Sequence, residues 1–257
     1  MPRSIWNGTI TFALVNVPIK LYSATESKTV HFHQLHAPDE GRIEHRRFCS
    51  AEDVEVPYSE VVKGYEVPDG YVVLSKEEVA AADPPGGKVI EIEDFVDAGE
   101  IDPVFYDRTY YVGCRAGGGD AYRLLHDALE RSGRVGIGRF TFHNKEQLVA
   151  LRTLDGVLAL HTMRYHDEVV SGGDQEIPEP QRAPDDREVE MAETLVSSLE
   201  AEFRPERYDD SYRQRVLELI EAKARGEQPD LPEPATDEDT TDLMAALEAS
   251  VKKGGGR

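Results

Sequence analysis

Along residues 5–15 apolar and polar side chains alternate, with Ile10, Phe12 and Leu14 on one side and Thr9, Thr11 and Ala13 on the other. A period of two is that of a half-buried strand. The tripeptide Asn16-Val17-Pro18 predicts a bend, because proline has no ladder donor and restricts the residue before it. Residues 19–25 then resume as a second strand. Residues 31–36 and 41–49 predict short strands on either side of a turn at residues 37–41. Residues 71–83 predict a strand followed by a short helix, with Ser75 as N-cap and Glu78 three residues later. Residues 88–96 and 102–114 alternate again.

The clearest helix of the first two thirds spans residues 117–133. Asp120 is its expected cap, Ala121, Leu124, Leu125 and Ala128 its apolar stripe, and Gly133 its stop. A hairpin follows, whose Asp155-Gly156 pair suits a type I′ turn. The alternation changes phase at Gly138–Arg139, which predicts a bulge. From about residue 185 the period becomes 3.6. Val189, Ala192, Leu195, Val196, Leu199 and Phe203 share one face, and Tyr212, Val216, Leu219 and Ile220 share another before Gly226. An acidic, Pro-rich linker comes next. After it, Leu243, Met244, Leu247 and Val251 recur at helical spacing, the pattern of a short helix that docks on a partner.

Charge modifies this picture more than composition does. The 257 residues carry a formal net charge of −21, which argues against a phosphate-bearing partner. Its distribution does not. Residues 1–49 hold 6 basic and 4 acidic side chains, and residues 101–164 hold 9 and 7. The acid is concentrated in residues 50–100 and 165–257. No run approaches the 18 or so apolar residues of a membrane span, and no signal peptide is legible, so an intracellular protein is expected. The two cysteines, Cys49 and Cys114, cannot build a disulfide framework, in keeping with a reducing compartment.

Three kinds of chemistry were open. His31 and His33 fall on one side of a strand, and His36 or Cys49 could add a third ligand, which is one route to a metal-dependent enzyme. Cys49 as a nucleophile lacks a recognisable base. The glycine-rich entry to the 117–133 helix imitates a phosphate loop, but it has no Gly-Lys-Ser/Thr ending and carries Asp120 where an anion would sit. The remaining signal is a basic series with aromatic and histidine neighbours: Lys20, Lys28, Arg42, Arg46 and Arg47, then Arg139, Lys145 and Arg152. Such side chains reach phosphates without reading bases. The bland alternative is an acidic interaction scaffold whose cations only solubilise it.

Longer stretches narrow the choice. "SIWNGTITFALVNVPIKLYSAT", "FHQLH", "GRIEHRRFC", "EVPYSEVVKGYEV", "EIEDFVDAGEIDPVFYDRTYYV", "ALERSGRVGIGRF", "DGVLALHTMRY" and "RYDDSYRQRVLELIEAKARGE" resemble, in order, the bacterial Ku family of non-homologous end joining. The resemblance spans about residues 3–227, with the tail matching through "DLMAALEAS". It implies a mixed, mainly β fold: a Ku-type β-barrel core over residues 1–184 with an extended DNA-encircling bridge at about 24–62, then a helical arm at 185–226. A linker at 227–238 and a ligase-recruiting helix and tail at 239–257 complete it.

The same resemblance implies a non-catalytic homodimeric ring around double-stranded DNA ends that recruits DNA ligase D, in the cytoplasm near the nucleoid, with no cofactor and no membrane. Lys20, Lys28, Arg42, Arg46 and Arg47 become bridge-side phosphate contacts, and Arg139, Lys145 and Arg152 weaker barrel contacts. Leu243, Met244, Leu247 and Val251 become the partner-binding face. Three departures stand out. Cys49 lacks the second cysteine of a Cys-x-x-Cys pair, Glu44 sits where a basic or neutral residue is commoner, and the chain ends in "KKGGGR" without a Lys-rich extension.

Overall fold

The computed structural model describes residues 3–81, 88–142, 145–174 and 183–227. Backbone proximity divides the chain into two units, Met1–Lys28 with His33–Asp174, and Thr29–Phe32 with Gln175–Arg257.

In the first unit, β1 (Trp6–Phe12), β2 (Val15–Ser23), β5 (Val89–Asp97), β6 (Tyr106–Cys114), β7 (Arg134–Phe142), β8 (Lys145–Leu154) and β9 (Val157–Met163) close into a barrel. Their order is β1-β2-β6-β9-β8-β7-β5. The expected mainly β barrel is therefore present. Every barrel pairing is antiparallel except the seam, where Thr9–Thr11 runs parallel to Val89–Glu91.

The bend lies earlier than the sequence predicts. The chain reverses at Ala13-Leu14, where Ala13 takes a φ of 49° and Phe12 faces Val15. Pro18 instead lies within β2, opposite Thr9. It is tolerated because Thr9 sends its N–H to the Lys88 carbonyl (2.8 Å), so Thr9 and Pro18 exchange no ladder bond. The Pro18 carbonyl still accepts from Arg115 N (3.0 Å). Leu14, at the turn, is 96% exposed and adds nothing to the core.

Ile10, Val17, Ile19, Leu21, Ile90, Val149, Leu151, Leu158 and Leu160 point inward and are buried. Helix α2 (Gly119–Ser132) lies over the barrel end bounded by Pro18, Val112 and Leu158 and adds Leu125 and Leu129 to that core. Two expectations for this helix are corrected. Its N-cap is Gly118, with Asp120 inside the first turn as favourable charge. Its buried stripe is Leu125, His126 and Leu129, whereas Leu124 is 61% exposed. The barrel end selects the stripe, and Gly118 must be glycine because a Cβ there would lie 2.8 Å from Pro18 Cδ.

The Asp155-Gly156 turn forms as expected, with φ of 50° and 76°, which joins β8 to β9. The irregularity near Gly138 also exists, but its extra residue is Glu93 on the facing strand. Gly138 is what lets the two backbones approach there: an added Cβ would sit 2.0 Å from the Glu91 carbonyl oxygen.

Between β2 and the next hairpin no residue of 24–62 is buried. The strands expected at 31–36 and 41–49 reduce to single bridges, Leu35 with Arg42 and Phe48 with Glu55. Exposed on both sides, these stretches have no sheet to join. Each bridge closes a small loop whose last bend is a left-handed residue, Glu40 (φ 54°) or Asp53 (φ 53°). The hairpin itself pairs β3 (Lys63–Val67) with β4 (Gly70–Leu74), and it leads into α1 (Lys76–Ala81). The Ser75 capping box is realised: Glu78 N donates to Ser75 Oγ (3.1 Å) and Ser75 N to Glu78 Oε2 (2.8 Å).

In the second unit, α3 (Asp186–Ser198) is capped by Asp185, whose carboxylate accepts from Glu188 N at 2.9 Å. Helix α4 (Ser211–Ala224) is capped by Asp210. Val196 and Phe203, expected on the apolar face of the first of these helices, are 71% and 76% exposed, and Phe203 lies beyond its end. No helix among the described residues is long and apolar enough to cross a membrane.

Candidate nucleic-acid interface

The basic residues singled out above fall into two sets. Arg42, Arg46 and Arg47 stand on the small loops of the 24–62 segment. Arg42 Nη2 lies 3.0 Å from Nδ1 of His33, so that imidazole accepts from a guanidinium. Arg46 Nη1 donates to Glu55 Oε2 (3.1 Å), and its Nη2 is 4.0 Å from Glu44. Arg47 places its guanidinium carbon 5.1 Å above the Tyr58 ring, a cation–π contact that leaves the charge unneutralised. Lys28, at the start of the segment, is engaged by Glu26, and that hydrogen bond holds the Glu26 carboxyl below its usual range.

The second set is on the barrel. Lys20 lies on β2 between Asn7 of β1 and Gly113 of β6 and is half-buried. Arg139 faces Glu93 at 3.6 Å, the bulged residue described above. Lys145 faces Glu168 at 3.4 Å, and the carboxyl of Glu168 is lowered first by the Tyr165 backbone N–H and next by Lys145. Arg152 is committed to the barrel wall, where its Nε donates to His161 Nε2 at 2.9 Å.

Four of the eight cations, Lys28, Arg46, Arg139 and Lys145, thus have a carboxylate within 4 Å. Exposed pairs of this kind are weak, on the order of 0–1 kcal/mol, and an incoming phosphate competes with them readily. They still lower the local positive potential, which leaves Arg42 and Arg47 as the strongest attractors on the 24–62 segment. Nothing in the sequence predicts Glu55 and Tyr58 as partners of Arg46 and Arg47. They are nine and eleven residues away and meet them only through the Phe48–Glu55 bridge.

The histidine-based alternative finds no geometric support. Among the described residues no three His, Cys, Asp or Glu side chains converge as a metal would require. His33 is turned to Arg42, and His36 Nδ1 lies 2.9 Å from Asp39 Oδ1. The proposed partner-binding face, Leu243, Met244, Leu247 and Val251, lies outside the described residues, as does the linker before it from residue 228 on.

The part of the segment in the first unit also exposes apolar side chains: Phe48, Tyr58 and Val62 are 58–72% exposed, and Tyr65 and Tyr71 of the β3–β4 hairpin are 71% and 69% exposed. An exposed apolar run of this extent marks an interaction surface.

Comparison with known proteins places this geometry in context. The Ku70/Ku80 beta-barrel domain family matches residues 11–191. A non-homologous end joining protein Ku from Anaeromyxobacter sp. (strain K) is 48% identical over 98% of this chain and 86% of its own length. Proteins of the same name from Symbiobacterium thermophilum and Solibacter usitatus are 43% and 37% identical, over 97% and 98% of this chain and 63% and 94% of their own lengths.

Proposed function

The chain belongs to the Ku β-barrel family, and on that premise we propose that it binds the ends of double-stranded DNA during non-homologous end joining. It acts as a non-catalytic homodimer. The 24–62 segments and barrels of two copies close a ring around the duplex, and residues 239–257 recruit and stimulate DNA ligase D.

The observation that carries this reading is the 24–62 segment itself. It spans 39 residues without a buried side chain, exposes Phe32, Phe48 and Tyr58, and presents Arg42 and Arg47 without a carboxylate partner among the described residues. A monomer has no use for such a surface. A second copy covering the apolar part, with DNA against the cations, accounts for both. Cations on loops and strand faces meet phosphates and read no bases, so binding is independent of sequence. A ring that cannot open loads only at an end, so selectivity comes from topology and needs no reaction. The net charge of −21 keeps affinity away from ends low, and the salt dependence of binding follows the number of phosphates that the cations neutralise.

The test compares one plasmid, linearised and closed circular, in a mobility-shift assay at moderate salt. Retention on the linear form alone, lost when both ends carry bulky adducts, supports a threaded ring. Equal retention of both forms means a surface patch without closure. No retention of either makes the acidic charge decisive against DNA binding.

A further inference from the structure

The barrel end from which the 24–62 segment departs holds an open cleft of about 780 Å³. Strand register brings its walls together: Ser23 at the end of β2 faces Tyr110 on β6, and Ala24 N donates to the Thr109 carbonyl (3.1 Å). Ile5 N donates to the Leu21 carbonyl (2.9 Å), which draws the residues before β1 to the same place. Tyr110 and Phe142, whose rings lie 6.3 Å apart, line the cleft, and Tyr110 is only 6% exposed. Arg3, just before β1, and Arg108, on β6, both line the cleft, and Ser4, Ser23 and Thr25 add hydroxyls. The Ser23 hydroxyl donates to the Thr25 carbonyl at 2.6 Å, which orders that wall.

The charge at this cleft is unlike the rest of the barrel. No lining residue is acidic, in a chain with 50 Asp and Glu among 257 residues. Several of the barrel's other cations face acids: Arg134 with Asp97, Arg139 with Glu93, Lys145 with Glu168, Arg164 with Asp107, whereas Arg152 is held by His161. Arg3 has no carboxylate within 4 Å among the described residues. Arg108 has one at the limit, Asp107 Oδ2 at 4.0 Å, and the other oxygen of that carboxylate is 3.6 Å from Arg164. Arg3 and the loosely held Arg108, with the Ser4 and Thr25 hydroxyls on the same cleft, offer donors of the kind a phosphate takes.

We propose that this cleft is a phosphate seat, in which Arg3 and Arg108 hold a phosphate group of the DNA where the duplex passes the root of the 24–62 segment. The assignment rests on the DNA-binding reading above. It adds two residues that the sequence pattern does not single out. The phosphate is either an internal backbone group or the terminal 5′ group, and the two sources separate by experiment.

Arg3→Gln, Arg108→Gln and the double variant are titrated by fluorescence anisotropy with blunt duplexes bearing 5′-phosphate or 5′-hydroxyl ends. Each single substitution is expected to weaken binding about fivefold near 0.1 M salt and to reduce the slope of log K against log salt by about one. An equal loss on both duplexes identifies a backbone phosphate, and a loss confined to the phosphorylated one identifies the terminal group. Wild-type affinity and slope in the double variant overturn the seat. A second readout holds even if the wild type binds no DNA: inorganic phosphate is titrated against chloride at matched ionic strength while Tm is followed. Phosphate stabilisation present in the wild type and absent in the double variant supports the seat. An identical phosphate response in both overturns it.

Discussion

Arg152 donates from Nε to Nε2 of His161 over 2.9 Å, and this contact fixes the imidazole as the neutral tautomer with its proton on Nδ1. That proton reaches Thr109 Oγ1 at 2.9 Å, so three neighbouring strands, β8, β9 and β6, are linked through one ring. Burial, and then the Arg152 charge, lower the His161 pKa from 6.5 to about 4. The unfolded chain therefore binds more protons than the folded one between those values. Stability from this site is complete above about pH 6.5 and is lost as pH falls toward 4, by about 3 kcal/mol in all. Carboxylates lowered in the fold, such as Asp127 and Glu168, keep their stabilisation across this range and lose it only as pH falls below about 4.5. Urea midpoints at pH 7.5, 6 and 5 are expected to fall for the wild type and to stay level for His161→Gln. Parallel profiles would remove His161 as the cause.

The Tyr122 hydroxyl stands between two strands at the barrel end, accepting from Leu158 N (3.1 Å) and donating to the Val112 carbonyl (2.8 Å). Val112 and Leu158 are register partners, so the side chain of α2 replaces a ladder bond there. Burial raises the Tyr122 pKa, as expected for a phenol kept neutral. Tyr122→Phe leaves a buried N–H and C=O without partners, at a cost of about 2–3 kcal/mol. Equilibrium urea unfolding measures it. An unchanged midpoint would mean that the strands close directly once the hydroxyl is gone.

Legibility of the fold in the sequence followed how local each signal was. Asp155-Gly156 and the Ser75–Glu78 box were readable because turn chemistry and capping depend on a few adjacent residues. The Ala13-Leu14 reversal was not, because a two-residue turn with alanine at positive φ has no compositional mark and Pro18 offered a false one. Leu124 and Leu125 have the same helical period on sequence grounds, and only the barrel end decides which is buried. The cationic series was read from the sequence without the neighbours that the fold gives each side chain. Arg152 reads as a surface cation until β9 places His161 beside it. Arg3 and Arg108 share a cleft only through the β1–β2–β6 register, which no local window contains.

The helices and tail carry a separate prediction. Helix α4 ends at Ala224 with Gly226 at φ 79°, a backbone stop that favours glycine. Everything after it reads in sequence as an acidic tether and a short apolar-faced helix. Truncation after Gly226 is therefore expected to leave the thermal transition and the linear-plasmid shift unchanged while abolishing stimulation of purified DNA ligase D. Full stimulation by the truncated chain would move the recruiting surface elsewhere. A lowered Tm would mean that the tail packs on the folded part.

Arg46 and Arg47 are adjacent in sequence and differ in what holds them, and DNA binding should register the difference. Arg47 keeps its charge over the Tyr58 ring, whereas Arg46 must leave Glu55 before it meets a phosphate. Reversal of both, Arg46→Glu with Arg47→Glu, is expected to weaken binding alike on unrelated duplex sequences and to reduce the salt slope by about two. Glu55→Gln acts in the opposite sense. It frees the Arg46 guanidinium and removes a charge that repels phosphate, so affinity should rise roughly two- to fivefold at low salt. That gain should shrink as salt screens the lost repulsion. Anisotropy titrations of wild type and Glu55→Gln at two salt concentrations decide the matter. Weaker binding by Glu55→Gln would show that the ion pair positions the Phe48–Glu55 loop for contact, and that its order matters more than the charge it hides.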